Sequence, residues 1–92
     1  MATVTVSLPS LLQPAAGGLR ELRLEAATLR EGLEKLGAEH PRLRALLFDE
    51  AGGFRQHVLC FHNDVNTRWL ESLERPLRDD DRLTILQAVS GG

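Results

Sequence analysis

The first part of the chain changes from an alternating hydrophobic pattern to a helical one. Polar and apolar residues alternate over 3–8 and again over 19–24, which is typical of strands with one buried face. We expect these two strands to pair as a hairpin. Thr28 and Glu31 then fit a capping box, and leucines recur at helical spacing through residue 36. The pattern predicts two strands followed by one main helix.

The connections in this part carry prolines and paired glycines. Pro9 and Pro14 precede Gly17 and Gly18, and because prolines lack a donor and glycines tolerate positive φ, this composition predicts an extended turn. After the main helix, the apolar residues within 43–48 indicate a short helical or irregular segment.

The remainder of the chain predicts three more strands. Residues 54–62 have a dense apolar centre, so we expect partial cover on both faces and a place in the middle of the sheet. Residues 65–69 predict a short edge strand, and residues 82–89 predict the last one. The order β-β-α-β-β-β predicts a single α+β domain over 1–92, with the helix across one face of a mixed sheet of four or five strands.

The last predicted strand separates its apolar residues onto two faces. Leu83 and Ile85 share one face, whereas Leu86 and Ala88 share the other. If the helix covers the first face, Leu86 stays exposed beside the chain end, and an exposed apolar residue there predicts a docking surface. The alternative is that a loop or Trp69 covers Leu86.

This strand runs into Ser90, Gly91 and Gly92. Glycine has no Cβ, so the ending can pass through a slot that would exclude other residues. The carboxylate of Gly92 is inert until it is activated, for example as an acyl-adenylate. It can then become a thiocarboxylate or an isopeptide. Residues 88–92, if extended, reach roughly 15 Å, although the same ending also fits an idle chain terminus.

Composition excludes several functional classes. The chain has 92 residues and a net charge of -2, which argues against a nucleic-acid scaffold built on a basic field. Lys35 is the one lysine, so chains linked through internal lysines have few options. The single cysteine, Cys60, favours a reducing compartment. Because the sequence shows no signal-peptide pattern and no run of membrane-spanning length, we expect a cytoplasmic protein without membrane association.

Two groups of residues suggest a metal site at first reading. On a strand, Cys60 and His62 share a face and His57 points to the other, so at most two ligands converge, fewer than zinc needs. We therefore predict a structural Cys60, histidines at the surface and no metal. The three aspartates at 79–81 diverge on an extended chain and predict a solvated turn.

The sequence resembles the ubiquitin-like β-grasp sulfur carriers of the ThiS/MoaD type over nearly its whole length. Its length and the spacing from Asn63 to the end look closest to the carriers that serve a thiocarboxylate-dependent cysteine pathway. The motifs that carry the resemblance are Thr5 to Pro9 with Gly17 and Gly18, Phe61 to Asp64 with Arg68, and Asp81 to Leu86 leading to 88–92.

The resemblance implies a role for the chain end and a set of partners. Gly92 would be adenylated with ATP by an enzyme like those that activate ubiquitin, and then converted to a thiocarboxylate. Gly91, Ser90, Val89 and Ala88 would enter the partner's channel. The implied consumer is a pyridoxal-phosphate-dependent cysteine synthase, and a zinc metallopeptidase would release the added cysteine. These cofactors belong to the partners, so the chain would be a protein co-substrate that binds none and is not an enzyme.

Residues around the tail are expected to guide docking. Leu86 would contact a partner, and Arg68 and Arg82 would frame the apolar residues and attract an acidic partner surface. His62 stands where the carriers more often have an aliphatic residue, and Trp69 is bulkier than usual, so both are expected to adapt the surface to a particular partner.

Three other functions remain open at this point. The chain could be a ubiquitin-like modifier joined through Gly92 to lysines of target proteins. It could also be the small subunit of molybdopterin synthase, or an interaction domain with an idle tail.

Overall fold

The computed structural model describes residues 1–87 and comprises one sheet, two α-helices and two short 3₁₀ helices. No helix among these residues has the length and apolar character needed to cross a membrane. The strands are β1 (Ala2–Ser7), β2 (Glu21–Ala26), β3 (Val58–His62), β4 (Val65–Asn66) and β5 (Arg82–Gln87); the α-helices are α1 (Leu29–Glu39) and α2 (Pro41–Leu47); the 3₁₀ helices are Ser10–Ala16 and Thr67–Trp69.

The five strands form a mixed sheet in the order β2-β1-β5-β3-β4. β1 and β5 are parallel, and the other neighbouring pairs are antiparallel. The expectation of an α+β arrangement with a mixed sheet is confirmed. The expectation that β3 lies in the middle is wrong, because β5 pairs with both β1 and β3 and takes the central place. β5 pairs with β1 over 82–84, and its last described residues, 85–87, pair with β3 alone.

One face of the sheet is covered by α1, α2 and the first 3₁₀ helix, and the core lies between these layers. The alternation predicted from the sequence is confirmed, since every second residue of β1 and β2 is buried, as are Leu83 and Ile85 of β5. The largest fully enclosed side chains are Leu12, Leu29, Leu36, Leu43, Leu47, Leu83 and Ile85.

Helix α1 begins as its capping signal predicts. Thr28 is extended, and its hydroxyl accepts a hydrogen bond from the Glu31 N–H at 3.2 Å. The capping box also predicted a bond from the Thr28 N–H to the Glu31 side chain. The Glu31 carboxylate instead lies 3.5 Å from Lys35 Nζ, one turn further along α1. Pro41 stands at the start of α2, where its missing N–H is not needed.

One connection and one strand differ from the prediction. The segment expected as an extended turn is a 3₁₀ helix, because Leu12 and Ala16 bury one side of it against α2. Gly17 and Gly18 then reverse the chain at φ 69° and 87°, as expected. The third strand is also shorter than predicted, because Phe54 forms an isolated bridge with Phe48 outside the sheet ladder.

Candidate docking site at the end of the last strand

β5 presents different residues to its two faces near its end. Leu83 and Ile85 are buried beneath the helices, whereas Leu86 is 44% exposed on the opposite, outer face of the sheet. The predicted exposure of Leu86 is thus confirmed. Trp69 is itself 77% exposed, and it does not bury Leu86. The described part of β5 consequently ends with an accessible leucine one residue before Gln87.

Neighbouring residues of β3 extend this apolar surface. Leu59 pairs directly with Leu86, and Phe61 pairs with Thr84 on the same face. Leu59 and Phe61 are half-buried. We call Leu59, Phe61 and Leu86 the outer-face patch. Neither Leu59 nor Phe61 was predicted as a docking residue, although their alternation with buried Cys60 is the signal that places them on this face.

More exposed apolar residues lie at the same end of the sheet. β1 runs parallel to β5, with Ser7 opposite Thr84, so both strands end on one side of the domain. The connection that follows β1 carries Leu11, 71% exposed, and Leu19, 50% exposed. Exposed leucines are therefore found in the connection after β1 as well as on β5.

The two predicted framing arginines lie in different places. The guanidinium of Arg68 donates to the Val58 carbonyl at 2.9 Å, at the start of β3. Arg82 donates instead to the Glu21 carboxylate at 2.7 Å and to the Ser7 hydroxyl, across β1. This hydrogen bond from Arg82 lowers the pKa of Glu21. Arg82 thus belongs to the polar half of the outer face, four residues before Leu86.

His62 corrects the expectation that the histidines lie at the surface. His57 is exposed, but His62 is 4% exposed on the core side of β3. Its Nε2 lies 2.7 Å from Asp81 Oδ2, and this hydrogen bond explains how an imidazole is tolerated there. Because an ionised carboxylate can only accept, Nε2 carries the proton.

Asp81 gathers several donors at the start of β5. It accepts from the Arg78 N–H at 2.9 Å and from the Asn63 side-chain amide at 3.0 Å, in addition to His62. Burial raises the pKa of Asp81, but these hydrogen bonds outweigh burial and hold the pKa at about 2. The prediction of a solvated turn therefore does not hold for Asp81, whose hydrogen bonds connect the start of β5 to the end of β3.

The buried thiol and the neighbouring polar residues form no metal site in the part of the chain that the structure describes. Cys60 is 1% exposed, and burial raises its pKa to about 12, against a smaller lowering by a hydrogen bond with Thr67. Residues 1–87 contain no group of three potential metal ligands. Asp79 accepts from the Thr3 N–H at 2.9 Å, which is a structural contact.

The predicted tail residues Ala88, Val89, Ser90, Gly91 and Gly92 lie outside the described residues. The activation of the Gly92 carboxylate and the entry of the other four into a partner's channel stay predictions. What the structure supplies is the base of the tail. Gln87 is paired with Val58, and Leu86 is exposed beside it.

Comparisons with known proteins agree on one family. The model of the ThiS family matches residues 6–92. The sulfur carrier protein CysO of Mycobacterium tuberculosis is 33% identical over 91 residues, which cover 97% of this chain and 98% of that protein.

Two solved structures are similar throughout. CysO in the Amycolatopsis orientalis BexX/CysO complex aligns with TM-score 0.82 and 34% identity, covering 97% and 99% of the two chains. The small archaeal modifier protein 1 of Methanosarcina acetivorans aligns with TM-score 0.81 and 36% identity, covering 100% and 98%. The expected ubiquitin-like β-grasp fold is confirmed, as is the role of a co-substrate rather than an enzyme. The chain belongs to the ThiS family of sulfur carrier proteins.

Proposed function

We propose that this chain carries sulfur as a thiocarboxylate on Gly92. The observation that carries the proposal is the half-exposed Leu86, opposite Leu59, at the end of the central strand that continues into residues 88–92. Membership of the ThiS family supports the same reading. The sheet supplies a fixed base at Gln87, and an enzyme that binds the outer-face patch would lie next to that base.

The proposed chemistry has two steps. An oxygen of the Gly92 carboxylate attacks the α-phosphate of ATP, forming the acyl-adenylate and releasing pyrophosphate. Sulfide, as HS⁻, then attacks the acyl carbon, displaces AMP and loses its proton, which leaves sulfur in place of one carboxylate oxygen. The small side chains of Gly91 and Ser90, with Ala88 and Val89 before them, suit passage through a narrow channel.

The proposed first partner is an E1-like adenylating enzyme. The surface available to it is the outer-face patch, in which Leu86 lies next to Gln87 at the base of the tail. An apolar contact of this size gives modest affinity and permits release after each transfer. The Amycolatopsis relative was solved in complex with BexX, which supports a carrier of this kind working through a partner protein.

The proposed consumer makes cysteine. The similarity to the sulfur carrier protein CysO supports this choice, with a pyridoxal-phosphate-dependent cysteine synthase as acceptor and a zinc metallopeptidase acting afterwards. ATP, pyridoxal phosphate and zinc are held by those partners. The need for ATP and the unpaired Cys60 support a cytoplasmic location for the pathway.

A second candidate function is protein modification. The 36% identity to a small archaeal modifier protein favours it, since a modifier uses the same C-terminal chemistry with a lysine amine as the acceptor. The two functions share adenylation and differ in the nucleophile that follows.

Intact mass spectrometry separates these possibilities. The carrier is incubated with the host's activating enzyme, ATP and a sulfur source. We expect a mass increase equal to the exchange of one oxygen for sulfur, and no increase in a variant lacking Gly92. Larger lysine-linked species would favour the modifier, and an unchanged mass would overturn both.

A matched pair of leucine variants tests the docking surface in the same assay. Leu86 and Leu46 are equally exposed, at 44% and 43%, but Leu46 lies on α2, outside the patch. Leu86→Asp is expected to slow activation strongly, and Leu46→Asp is expected to leave it close to the wild-type rate. Equal effects would contradict docking through the patch.

A further inference from the structure

The first residue of β3 lacks a strand neighbour on the side away from β5. β4 is only two residues long and pairs with Phe61 and His62. The Asn63 N–H bonds to the Arg82 carbonyl at 2.7 Å, and backbone groups alternate in direction along an antiparallel strand. Five residues earlier, the carbonyl of Val58 therefore points away from β5, towards a position that no strand fills.

The side chain of Arg68 occupies that position. Its Nη2 donates to the Val58 carbonyl at 2.9 Å and to the Gln56 carbonyl at 3.2 Å, and lies 3.5 Å from that of Arg55. The Val58 N–H closes a turn onto the Arg55 carbonyl at 3.0 Å. The segment 55–58 is thus curled around one guanidinium, which replaces the missing strand.

The backbone of Arg68 is fixed as well. The Asn66 side chain caps the second 3₁₀ helix by accepting from the Arg68 N–H at 2.9 Å. Thr67, between them, is 5% exposed. The guanidinium therefore extends from an anchored position and makes charge-assisted hydrogen bonds to its carbonyl partners.

These contacts lie next to the base of the tail. Val58 is directly opposite Gln87, the last described residue of β5, from which residues 88–92 continue. We propose that Arg68 is a positioning residue: by holding the start of β3 it fixes Gln87, and so sets where the chain end is presented to the activating enzyme. This inference rests on the proposed carrier function and deepens it. It also differs from a direct charge contact, in which Arg68 would attract an acidic partner surface.

The two roles predict different kinetics. A displaced tail reduces the fraction of docked carrier that reacts, because misplacement by about 1 Å can cost as much as 100-fold in rate. A lost charge contact weakens association and its dependence on salt. For Arg68→Gln we therefore expect kcat of adenylation to fall about tenfold with KM changed less than about twofold.

The experiment uses the full chain in two readouts. In the free carrier, amide NMR signals of 55–58 and of Gln87 onward should shift in Arg68→Gln, while those of α1 stay in place. Kinetics with the activating enzyme should show the fall in kcat. Arg30→Ala is the matched control, since Arg30 is an exposed arginine whose guanidinium pairs with Glu74 on the helical side. Arg30→Ala should change neither the amide signals of 55–58 and Gln87 nor the kcat of adenylation.

A third variant keeps the charge and loosens its anchor. Asn66→Ala removes the cap on the Arg68 N–H, and it should lower kcat in the same direction as Arg68→Gln. A raised KM with unchanged kcat and a weaker salt dependence in Arg68→Gln would overturn the positioning role. Unshifted signals at 55–58 and Gln87 would also overturn it. If the wild-type chain is never adenylated, the proposed function fails, but the NMR readout still decides whether Arg68 positions the tail base.

Discussion

Replacement of Asp81 by alanine is expected to destabilise the fold substantially. Asp81 accepts hydrogen bonds from the His62 ring, the Arg78 N–H and the Asn63 amide. Within residues 1–87, the other ring nitrogen of His62, Nδ1, is buried without a hydrogen-bond partner. Asp81→Ala would therefore leave the whole imidazole unpaired in the core.

The magnitude follows from burial. A hydrogen bond from a buried group to a charged acceptor contributes about 1.5–3 kcal/mol, and each of the two bonds nearer the surface contributes about 0.5–1 kcal/mol. Solvent replaces part of the latter, so we expect a loss of about 3 kcal/mol. A domain with a total stability of about 5–15 kcal/mol would show this clearly.

The assay is urea unfolding followed by far-UV circular dichroism, because Trp69 is too exposed to report on the core. His62→Leu supplies the control, since an aliphatic side chain needs no partner. When His62 is already leucine, Asp81→Ala should lower the free energy of unfolding by about 1–2 kcal/mol less than it does in the wild type. A loss below about 1 kcal/mol for Asp81→Ala, or strict additivity in the double variant, would refute the role given to this pair.

Three further predictions concern pH, docking and the thiol. The pKa of Asp81 lies at about 2 rather than 3.8, so its contribution is complete above pH 3.8 and is lost as pH falls towards 2. After allowance for solvent screening, the free energy of unfolding of the wild type, measured by urea titration, should fall by about 1–2 kcal/mol more than that of Asp81→Ala between pH 3.8 and pH 2. The same fall with pH in both proteins would contradict this. Leu86→Ala should raise the KM for activation about fivefold, because about 1 kcal/mol of apolar contact is lost, and an unchanged KM would remove Leu86 from the interface. Cys60, with its pKa raised to about 12 by burial, should resist iodoacetamide at pH 8 until urea is added, and stoichiometric labelling of the native protein would contradict its burial.

Much of the fold could be predicted because its signals are local. The alternation in β1 and β5 specified their buried faces, and Thr28 marked the start of α1, since its hydroxyl bonds only three residues ahead. The 3₁₀ helix before Gly17 could not be predicted, because its form depends on packing against α2. Local composition there indicated only a turn.

The environment of His62 shows the same limit more sharply. Its burial depends on Asp81, which is 19 residues away in sequence. Nothing near position 62 indicates that a carboxylate will face the ring. For the same reason His57 and His62 were both predicted at the surface, which is right for His57 and wrong for His62.

The candidate site was predictable in part. Leu86 followed from alternation, whereas the addition of Leu59 depended on the register between β3 and β5. Arg68 was expected to face a partner, and the structure adds its contacts with backbone carbonyls at the start of β3. The sequence could not predict these contacts, because Arg68 and Val58 are ten residues apart and meet only in the folded chain. The five tail residues, 88–92, lie outside the described structure and rest on the sequence and the family.

The most direct test of the carrier function locates the sulfur. After incubation with the activating enzyme, ATP and a sulfur source, trypsin cleavage after Arg82 yields the peptide Leu83 to Gly92, whose mass is measured. We expect this peptide, and no other, to gain the mass of one oxygen exchanged for sulfur, and fragmentation to assign the change to Gly92. An unmodified peptide, or sulfur found elsewhere in the chain, would contradict the carrier function.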